Sequence, residues 1–383
     1  MDLMTVDIHT KLPTHLIESH KSLVWTERYT ECGDFSLTSG NVDETIAELP
    51  AGALCRIAQS DELMVVESHK ISTDEYGIPL LTVEGRSFET VFENRPAISN
   101  MDPLADYEYH LEDVTAHEAM AKIMTRIPDG LNPTWAAAFE RPITVYRPTD
   151  LDRKIDYQVP NGDQYKAVLD LARGYGVGIR NFVFYREFET RYGVELYYGQ
   201  DRSIQNGYGN APVIFSSERG DFAREEYYLD YREHKNAAMV FTENTVQGYF
   251  MIPEGGDETP PMGLDSRILY INGGDIKPPV DTGIRDQITY ERALGQERLF
   301  SELSKRKLEP DVTFEISATP SYKFGRHEDG DYFLGDIVTV QTLYGGRKNL
   351  QVSEYIRAED ETGYREYPTL IDTPSLDGAF VEF

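Results

Sequence analysis

Residues Leu63–Arg95 read LMVVESHKISTDEYGIPLLTVEGRSFETVFENR, and the rest of the chain is organised around this stretch. Apolar and β-branched residues from Met64 to Ile71 and from Leu80 to Val83 predict two strands. The DEYG turn between them ends on Gly77, which adopts a positive φ without steric cost. Ser87 then has the residue type of a helix cap. The stretch therefore predicts a β-hairpin that leads into a helix, and none of its residues has the pattern of a catalyst.

Composition bounds the class of protein. The chain has 383 residues, enough for two to four domains, and 25 tyrosines indicate a β-rich fold. Its 37 basic and 66 acidic residues give a net charge of −29, which argues against a nucleic-acid-binding surface and also suits simple solubility. Cys32 and Cys55 are too few for a disulfide scaffold or a four-ligand zinc site. We expect no signal peptide and no membrane span.

The first section, residues 1–95, is rich in short strand patterns. Ser22–Tyr29 is a strong strand prediction, Phe35–Thr38 alternates apolar and polar residues, and Ala53–Ala58 leads into the hairpin. Six or seven short strands in about 95 residues favour a small barrel or sandwich. Within it Trp25 alternates with polar neighbours, so we expect it to be buried.

The middle section, residues 96–210, mixes helices and strands. Thr115 and Glu118 form a capping-box pattern before one helix. A second helix is predicted over Asp163–Ala172, with Gly174 as its C-terminal cap. Paired strands follow in residues 177–185 and 192–198. This mixture of helix and strand patterns predicts a separate α+β domain.

The last section, residues 211–370, returns to strands, which include residues 312–318, 332–343 and 350–358. Loops and a long helix, about Arg285–Lys307, are inserted between residues 253 and 307. Residues 371–383 are expected to form a C-terminal tail. The sequence alone thus indicates four segments, two of them β domains.

An internal echo connects the two β sections. The first copy runs from Gly52 through a strand, a turn and Val65–Glu67 to a turn that ends at Gly77. The second copy has the same order and runs from Gly335–Val340 through a turn and Val352–Glu354 to a turn that ends at Gly363. The glutamate-to-glycine spacing is ten residues in the first copy and nine in the second. The alternatives of a duplicated small β-barrel and of a chance similarity both remain open.

The sequence contains no recognisable catalytic or ligand-binding motif. No phosphate-binding loop, zinc-protease motif or nucleophile elbow is present. The glycines at 174, 176 and 178 follow a helix, in the reverse order of a dinucleotide loop, and indicate a cap and turn. His15 and His20 do not share a helical face, and His117 is expected to be exposed in a first helical turn. We therefore assign no catalytic, cofactor-binding or metal-binding residue, and no cofactor.

Carboxylates are too numerous to be informative. Asp329, Asp331 and Asp336 cluster near a turn without the spacing of a calcium loop, which favours a solvated turn. The run Glu359–Glu361 is interpreted in the same way. Among 66 acidic residues a glycosidase-like pair carries no information by itself.

An ordered set of segments resembles the tail-hub, baseplate-hub-like minor tail proteins of long-tailed phages with Gram-positive, chiefly actinobacterial, hosts. None of the segments is specific alone, and together they extend to about Leu370. They are Ser22–Tyr29, Glu31–Leu37, Met64–Ser68, Leu81–Ser87, Gly199–Arg202, Pro212–Ser216, Lys235–Ala238 and Tyr332–Val340.

The resemblance implies an α+β, β-rich, multi-domain tail-hub fold with two small β-barrels and an inserted α+β domain. It implies a structural virion protein at the tail tip, assembled in the host cytoplasm. A homotrimeric ring would then present six similar barrels to a six-fold tail tube and pass DNA through an acidic lumen without specific binding. The implied partners are the distal tail protein, the tape-measure protein and tail-tip or receptor-binding proteins.

Two other functions remain open at this stage. Many such hubs carry a peptidoglycan-cleaving or receptor-binding extension, and because this sequence stops at Phe383 we expect no enzyme activity. A tail-tip glycan hydrolase would need a carboxylate pair in a pocket. A protein that binds host cell-wall carbohydrate would need an exposed aromatic platform, which Trp135 or the tyrosines of residues 185–198 could supply, although such tyrosines more often pack in cores.

Overall fold

A computed structural model gives the architecture of the chain. It describes residues 1–18, 20–73, 76–99, 109–131, 134, 143–148, 154–160, 162–186, 189–205, 209–228, 230–250, 263–277, 283–306, 311–317, 320–326, 329–344 and 346–372. The predicted turn residues Asp74 and Glu75, Trp135 and the tail from residue 373 lie outside these ranges. The fold is β-rich with few helices, as the sequence predicted.

The chain divides into two compact units. Unit 1 comprises residues 1–224 and 315–383, and unit 2 comprises residues 225–314. Unit 2 therefore extends beyond the predicted insertion at 253–307. The predicted division at residues 95, 210 and 370 is finer than these two units and stays a prediction.

Strands form most of the secondary structure. They are β1 (Leu3–Val6), β2 (Pro13–Ile17), β3 (Ser22–Arg28), β4 (Asp34–Ser39), β5 (Leu54–Ile57), β6 (Met64–Thr73), β7 (Pro79–Ser87), β8 (Tyr109–Val114), β9 (Ile143–Tyr146), β10 (Ile155–Val159), β11 (Gly178–Arg186), β12 (Glu189–Tyr197), β13 (Ile214–Ser216), β14 (Phe222–Tyr228), β15 (Ala237–Phe241), β16 (Val246–Phe250), β17 (Ile268–Asn272), β18 (Asp311–Ile316), β19 (Ile337–Thr342), β20 (Gly346–Asp360) and β21 (Gly363–Asp372).

Helices are fewer. Within the described ranges they are α1 (Val42–Glu48), α2 (Ala116–Thr125), α3 (Gln164–Tyr175), α4 (Ile284–Ser304) and three short 3-10 helices (Phe88–Asn94, Ser217–Arg219 and Gly263–Asp265). The helix predicted after Ser87 is thus a 3-10 helix. The Ser87 hydroxyl does not cap it and instead accepts a hydrogen bond from the Gly33 amide at 3.0 Å.

One eleven-stranded sheet runs through unit 1. Its order is β13-β19-β20-β3-β4-β7-β6-β5-β1-β2, with β21 paired to β20. The prediction of two separate small barrels is therefore not confirmed. Among the described strands no barrel closes, and strands from both predicted barrels are hydrogen-bonded into the same sheet. The physical reason is the antiparallel pairing of β3 with β20, which joins the two halves of the chain.

The first half of this sheet follows the predicted pattern. Trp25 is fully buried, as predicted, and its ring lies 5.9 Å from that of Phe35. Gly85 lies where the backbone of β6 approaches closely, because a Cβ atom there would meet the Val65 carbonyl oxygen at 1.9 Å. Sequence alternation therefore placed the core face correctly, and glycine permits the tight contact.

The middle section contains α2, α3 and two small sheets. One sheet pairs β8 with β10, and the other has the order β11-β12-β9. The capping box is confirmed, since the Thr115 side chain accepts from the Glu118 amide and Glu118 bonds back to the Thr115 amide. The predicted cap at Gly174 is wrong. Gly176, with φ +63°, ends α3 in the left-handed conformation, because the helix continues through Tyr175.

Unit 2 is built on a three-stranded sheet of order β16-β15-β17 and on α4. Leu299 and Leu303 of α4 pack on Ala238, Val240 and Ile271. The chain enters this unit through β14 and leaves it through β18, and these two strands pair.

Candidate assembly surface

Two segments of the large sheet have the same construction. In each, a short strand pairs antiparallel with the first part of a long strand, which then turns back into a third strand. β5, β6 and β7 form the first meander, and β19, β20 and β21 form the second. The sequence echo therefore corresponds to a repeated supersecondary structure.

The irregularities of the two meanders coincide. The β6–β7 register shifts at Glu67, and the β20–β21 register shifts at Ser353. Each position precedes its turn glycine by ten residues, from 67 to Gly77 and from 353 to Gly363, and both glycines have positive φ. In the structure Glu67 is thus equivalent to Ser353, whereas the sequence comparison matched it with Glu354. The spacing to the turn glycine is then ten residues in both meanders. Bulges are designed features of sheets, so a shared position supports the equivalence of the segments.

The edge of β20 opposite β21 is paired with another strand of the same chain. Residues Glu354–Glu359 pair antiparallel with Leu23–Arg28 of β3. Two ion pairs accompany the ladder. Arg357 Nη1 donates to Glu27 Oε1 at 2.5 Å, with both side chains buried, and Arg28 Nε donates to Glu354 Oε1 at 2.6 Å.

The corresponding edge of β6 is open. Its first residues pair with β5, but from Ser68 to Thr73 the described structure gives β6 one strand neighbour, β7. All residues from 67 to 73 except His69 are exposed, and Ile71 is 58% exposed. An open edge presents unpaired backbone groups to another strand. The two equivalent meanders therefore differ in one respect: one edge has a partner and the other does not.

A cluster of buried carboxylates lies where the sheet meets the middle section. Glu62 and Glu89 are 3% and 4% exposed, and both Glu89 oxygens accept from Asn181 Nδ2 at 3.1 Å. Asn181 Oδ1 in turn accepts from the Leu63 amide at 2.8 Å. Burial, followed by the like charges of Glu27 and Glu89, raises the pKa of Glu62. Burial also raises the pKa of Glu89. The junction therefore favours protonated carboxyl groups.

The histidines and aspartates considered in the sequence do not assemble into a site. His15 is exposed on β2 and His20 lies 3.5 Å from Glu359. His117 is buried, contrary to the prediction of exposure, because its ring turns inward to bond Thr115 Oγ1 at 3.1 Å. Among the described residues no group of three or more His, Cys, Asp or Glu side chains could hold a metal ion.

Asp336 also differs from the prediction of a solvated turn. It is buried and accepts hydrogen bonds from the Gln200 amide at 2.7 Å, the Phe333 amide at 3.0 Å and Arg202 Nε at 2.9 Å. Asp331 accepts from the Lys323 amide at 2.8 Å. Both carboxylates therefore fix loop conformation.

The two rival functions gain no support from these residues. A cavity of about 470 Å³ contains the carboxylates of Glu31 and Glu354, but Arg173 and Arg28 pair with them. Tyr192 and Tyr197 are buried and Tyr198 is half-buried, so these three residues do not form an exposed aromatic platform. The Tyr185 side chain and Trp135 lie outside the described residues.

Solved structures identify the class of fold. A 43 kDa tail protein of prophage MuSo2 from Shewanella oneidensis is 13% identical, with 97% of this chain and 98% of that chain covered, at a TM-score of 0.51. A tail protein from Neisseria meningitidis (12% identical, 97% and 96% covered) and prophage tail protein gp18 from Listeria monocytogenes (11% identical, 99% and 97% covered) have TM-scores of 0.47 and 0.45. The match to the MuSo2 protein shows that this chain has the fold of that bacteriophage tail protein.

The particular family follows from the sequence. Residues 12–366 match the family model of the siphovirus ReqiPepy6 Gp37-like proteins, and the chain belongs to this family. Its role is accordingly structural and its location is the virion tail. No curated protein matches the chain. None of the helices in the described ranges has the length and apolarity to cross a membrane.

Proposed function

We propose that the chain is the hub of the tail tip, a non-enzymatic protein of which three copies form a ring. The ring closes or extends the tail tube and passes DNA during ejection. The observation that carries this proposal is the pair of equivalent meanders in one sheet. Three chains with two meanders each supply six similar elements, which suits a junction between three-fold and six-fold symmetry.

The open edge of β6 supports the ring. Within the chain, β3 fills the edge of β20 opposite β21. In a ring of copies, a strand of the neighbouring chain fills the equivalent edge from Ser68 to Thr73. Main-chain hydrogen bonds then link successive chains, as in β-augmentation. The same elements thus continue around the ring.

Charge supports the passage of DNA. The net charge of −29 per chain repels phosphate over roughly 8–10 Å at physiological salt, which suits an acidic lumen that does not bind the genome. The expected neighbours remain the distal tail protein, the tape-measure protein and tail-tip or receptor-binding proteins. The actinobacterial host and assembly in its cytoplasm belong to the same proposal, as do the predicted domain boundaries.

The test is the mass of the purified chain and of an edge variant. Sedimentation equilibrium should give about 131 kDa, three times the chain mass of 43.6 kDa. Ile71→Glu, which places a charge on the open edge, should yield monomers with unchanged secondary structure. Ile127→Glu, at a partly exposed site away from β6, is the control and should leave the trimer intact. A monomeric or hexameric wild-type chain contradicts the ring.

A further inference from the structure

Unit 2 has a sheet face that its own helix does not cover. Side chains alternate along β15, β16 and β17, and one set faces α4. The other set lies on the opposite side, which we name the open face. Its described members are Ala237, Met239, Phe241, Val246, Gly248, Ile268, Tyr270 and Asn272.

The strand register makes the open face continuous. Met239 lies between Gly248 on one neighbouring strand and Tyr270 on the other. Phe241 lies beside Val246, and the Phe241 and Tyr270 rings stack at 4.6 Å with an angle of 23°. Gly248 adds no side chain on the outer strand β16, so the surface beside Met239 is flat on that side.

The open face is apolar and accessible. Tyr270 is 68% exposed, Val246 57%, Ile268 50% and Met239 37%. A sheet with one wet face normally places polar residues on it. None of these residues is charged, although 27% of the chain is, and the Asn272 amide lies at one end of the face. Contiguous apolar surfaces of this kind mark sites of interaction.

The core of unit 2 does not need this surface. Leu299 and Leu303 of α4 close the other side of the sheet against Ala238, Val240 and Ile271. Burying the open face would therefore add an interface to a unit that already has a core.

We propose that the open face binds a different protein of the virion, through an apolar surface with a basic rim. Residues 225–314 contain 17 acidic and 10 basic side chains, a net charge of −7. Such a unit attracts a basic rim and repels DNA. The largest apolar patch on a monomer is typically about 300–600 Å², so two open faces packed together would bury about 600–1,200 Å², near the lower limit of a stable interface. The chain's own residues 251–262 carry the carboxylates of Glu254, Asp257 and Glu258, which suit solvent better than this surface.

A photo-crosslinking experiment on intact virions identifies the occupant. The photoreactive p-benzoylphenylalanine replaces Tyr270 in one virion preparation and Leu264, 103% exposed and outside the open face, in a control preparation. We expect irradiation to join position 270, and not position 264, to another virion protein. Products with a second copy of the chain, with residues 251–262 or with DNA overturn the proposal, as does the absence of any product.

Charge substitutions test the same surface without a probe. Tyr270→Glu and Met239→Glu should leave the melting temperature and the oligomeric mass of the purified chain unchanged, and reduce its incorporation into tails at least tenfold. Leu264→Glu should incorporate normally. Tyr270→Ser gives a neutral second variant if the charged ones fold poorly, and should also incorporate less. Normal incorporation of folded Tyr270→Glu overturns the inference, whereas loss of trimers in the wild-type chain counts only against the ring.

Discussion

Arg357 and Glu27 are 330 positions apart in sequence, yet Nη1 of the arginine lies 2.5 Å from Oε1 of the glutamate. Both side chains are buried, and the pair joins β20 to β3 at the point where the two halves of the sheet meet. Arg357 also lies over the Tyr355 ring at 4.8 Å. The ion pair therefore links the two halves of the sheet at their junction.

Breaking this pair should destabilise unit 1. Arg357→Met leaves the Glu27 carboxylate buried without its partner, which costs about 3–5 kcal/mol. The double variant Glu27→Leu/Arg357→Met should recover most of that loss, because no buried charge is left uncompensated. Urea unfolding followed by tryptophan fluorescence measures both, since both tryptophans lie in the segment 1–224. Equal destabilisation of the single and double variants would contradict the argument.

Glu62 should make stability depend on pH. Its pKa is raised in the folded chain, so the stability it contributes is fully present below its unfolded pKa of about 4.3 and is lost as pH rises through the folded value. Glu62→Gln has no carboxyl group to titrate at this position. The free energy of unfolding of the variant should therefore increase relative to that of the wild type as pH rises from 5 to 8. Glu112→Gln, at an exposed position, should track the wild type. A constant difference between Glu62→Gln and the wild type across this range would refute the assignment.

Two glycines should respond oppositely to alanine. Gly85→Ala places a methyl group 1.9 Å from the Val65 oxygen and 2.6 Å from Phe35 Cε1, which should cost about 3 kcal/mol or more. Gly174→Ala, inside α3 with nothing within 4 Å of the new atom, should stabilise by about 0.5–1 kcal/mol. Thermal melts of both variants decide the matter, and a tolerated Gly85→Ala would count against the β6–β7 register.

Trp25 should report on the first core. Trp25→Ala removes a fully buried ring packed on Phe35 and should cost about 3–5 kcal/mol, while Trp25→Phe should cost less. In the wild type the Trp25 component of the fluorescence should resist acrylamide quenching, with Trp25→Phe used to identify it. Ready quenching of that component would show that the ring is accessible.

Local patterns in the sequence predicted local structure well. The capping box of Thr115 and Glu118 and the strand pair β11–β12 depend on residues a few positions apart, and both are present. The predicted cap at Gly174 missed Gly176 by two residues, because either glycine could adopt the left-handed conformation that ends a helix.

Relationships between distant segments could not be predicted. Alternation along Ser22–Tyr29 identified a strand but not its partner, since many strands offer the same backbone groups. The pairing of β3 with β20 therefore appears only in the structure. Burial of Glu62, Glu89 and His117 was missed for a related reason, because neighbours from other elements enclose them. Those same neighbours form the cluster of buried carboxylates, which no sequence motif predicts.

The pairing of β3 with β20 also affects synthesis of the chain. Residues Leu23–Arg28 leave the ribosome about 330 positions before Glu354–Glu359, which is a delay of roughly 15–65 s at typical elongation rates. Unit 2, which is continuous from residue 225 to 314, has all its strands earlier than that. The large sheet thus completes last, and its slow, non-local closure leaves the β3 edge unpaired while translation continues. A prematurely terminated chain lacks β20, so its β3 edge stays unpaired and accessible to chaperones and proteases. The unpaired edge therefore distinguishes an incomplete chain from a complete one during assembly.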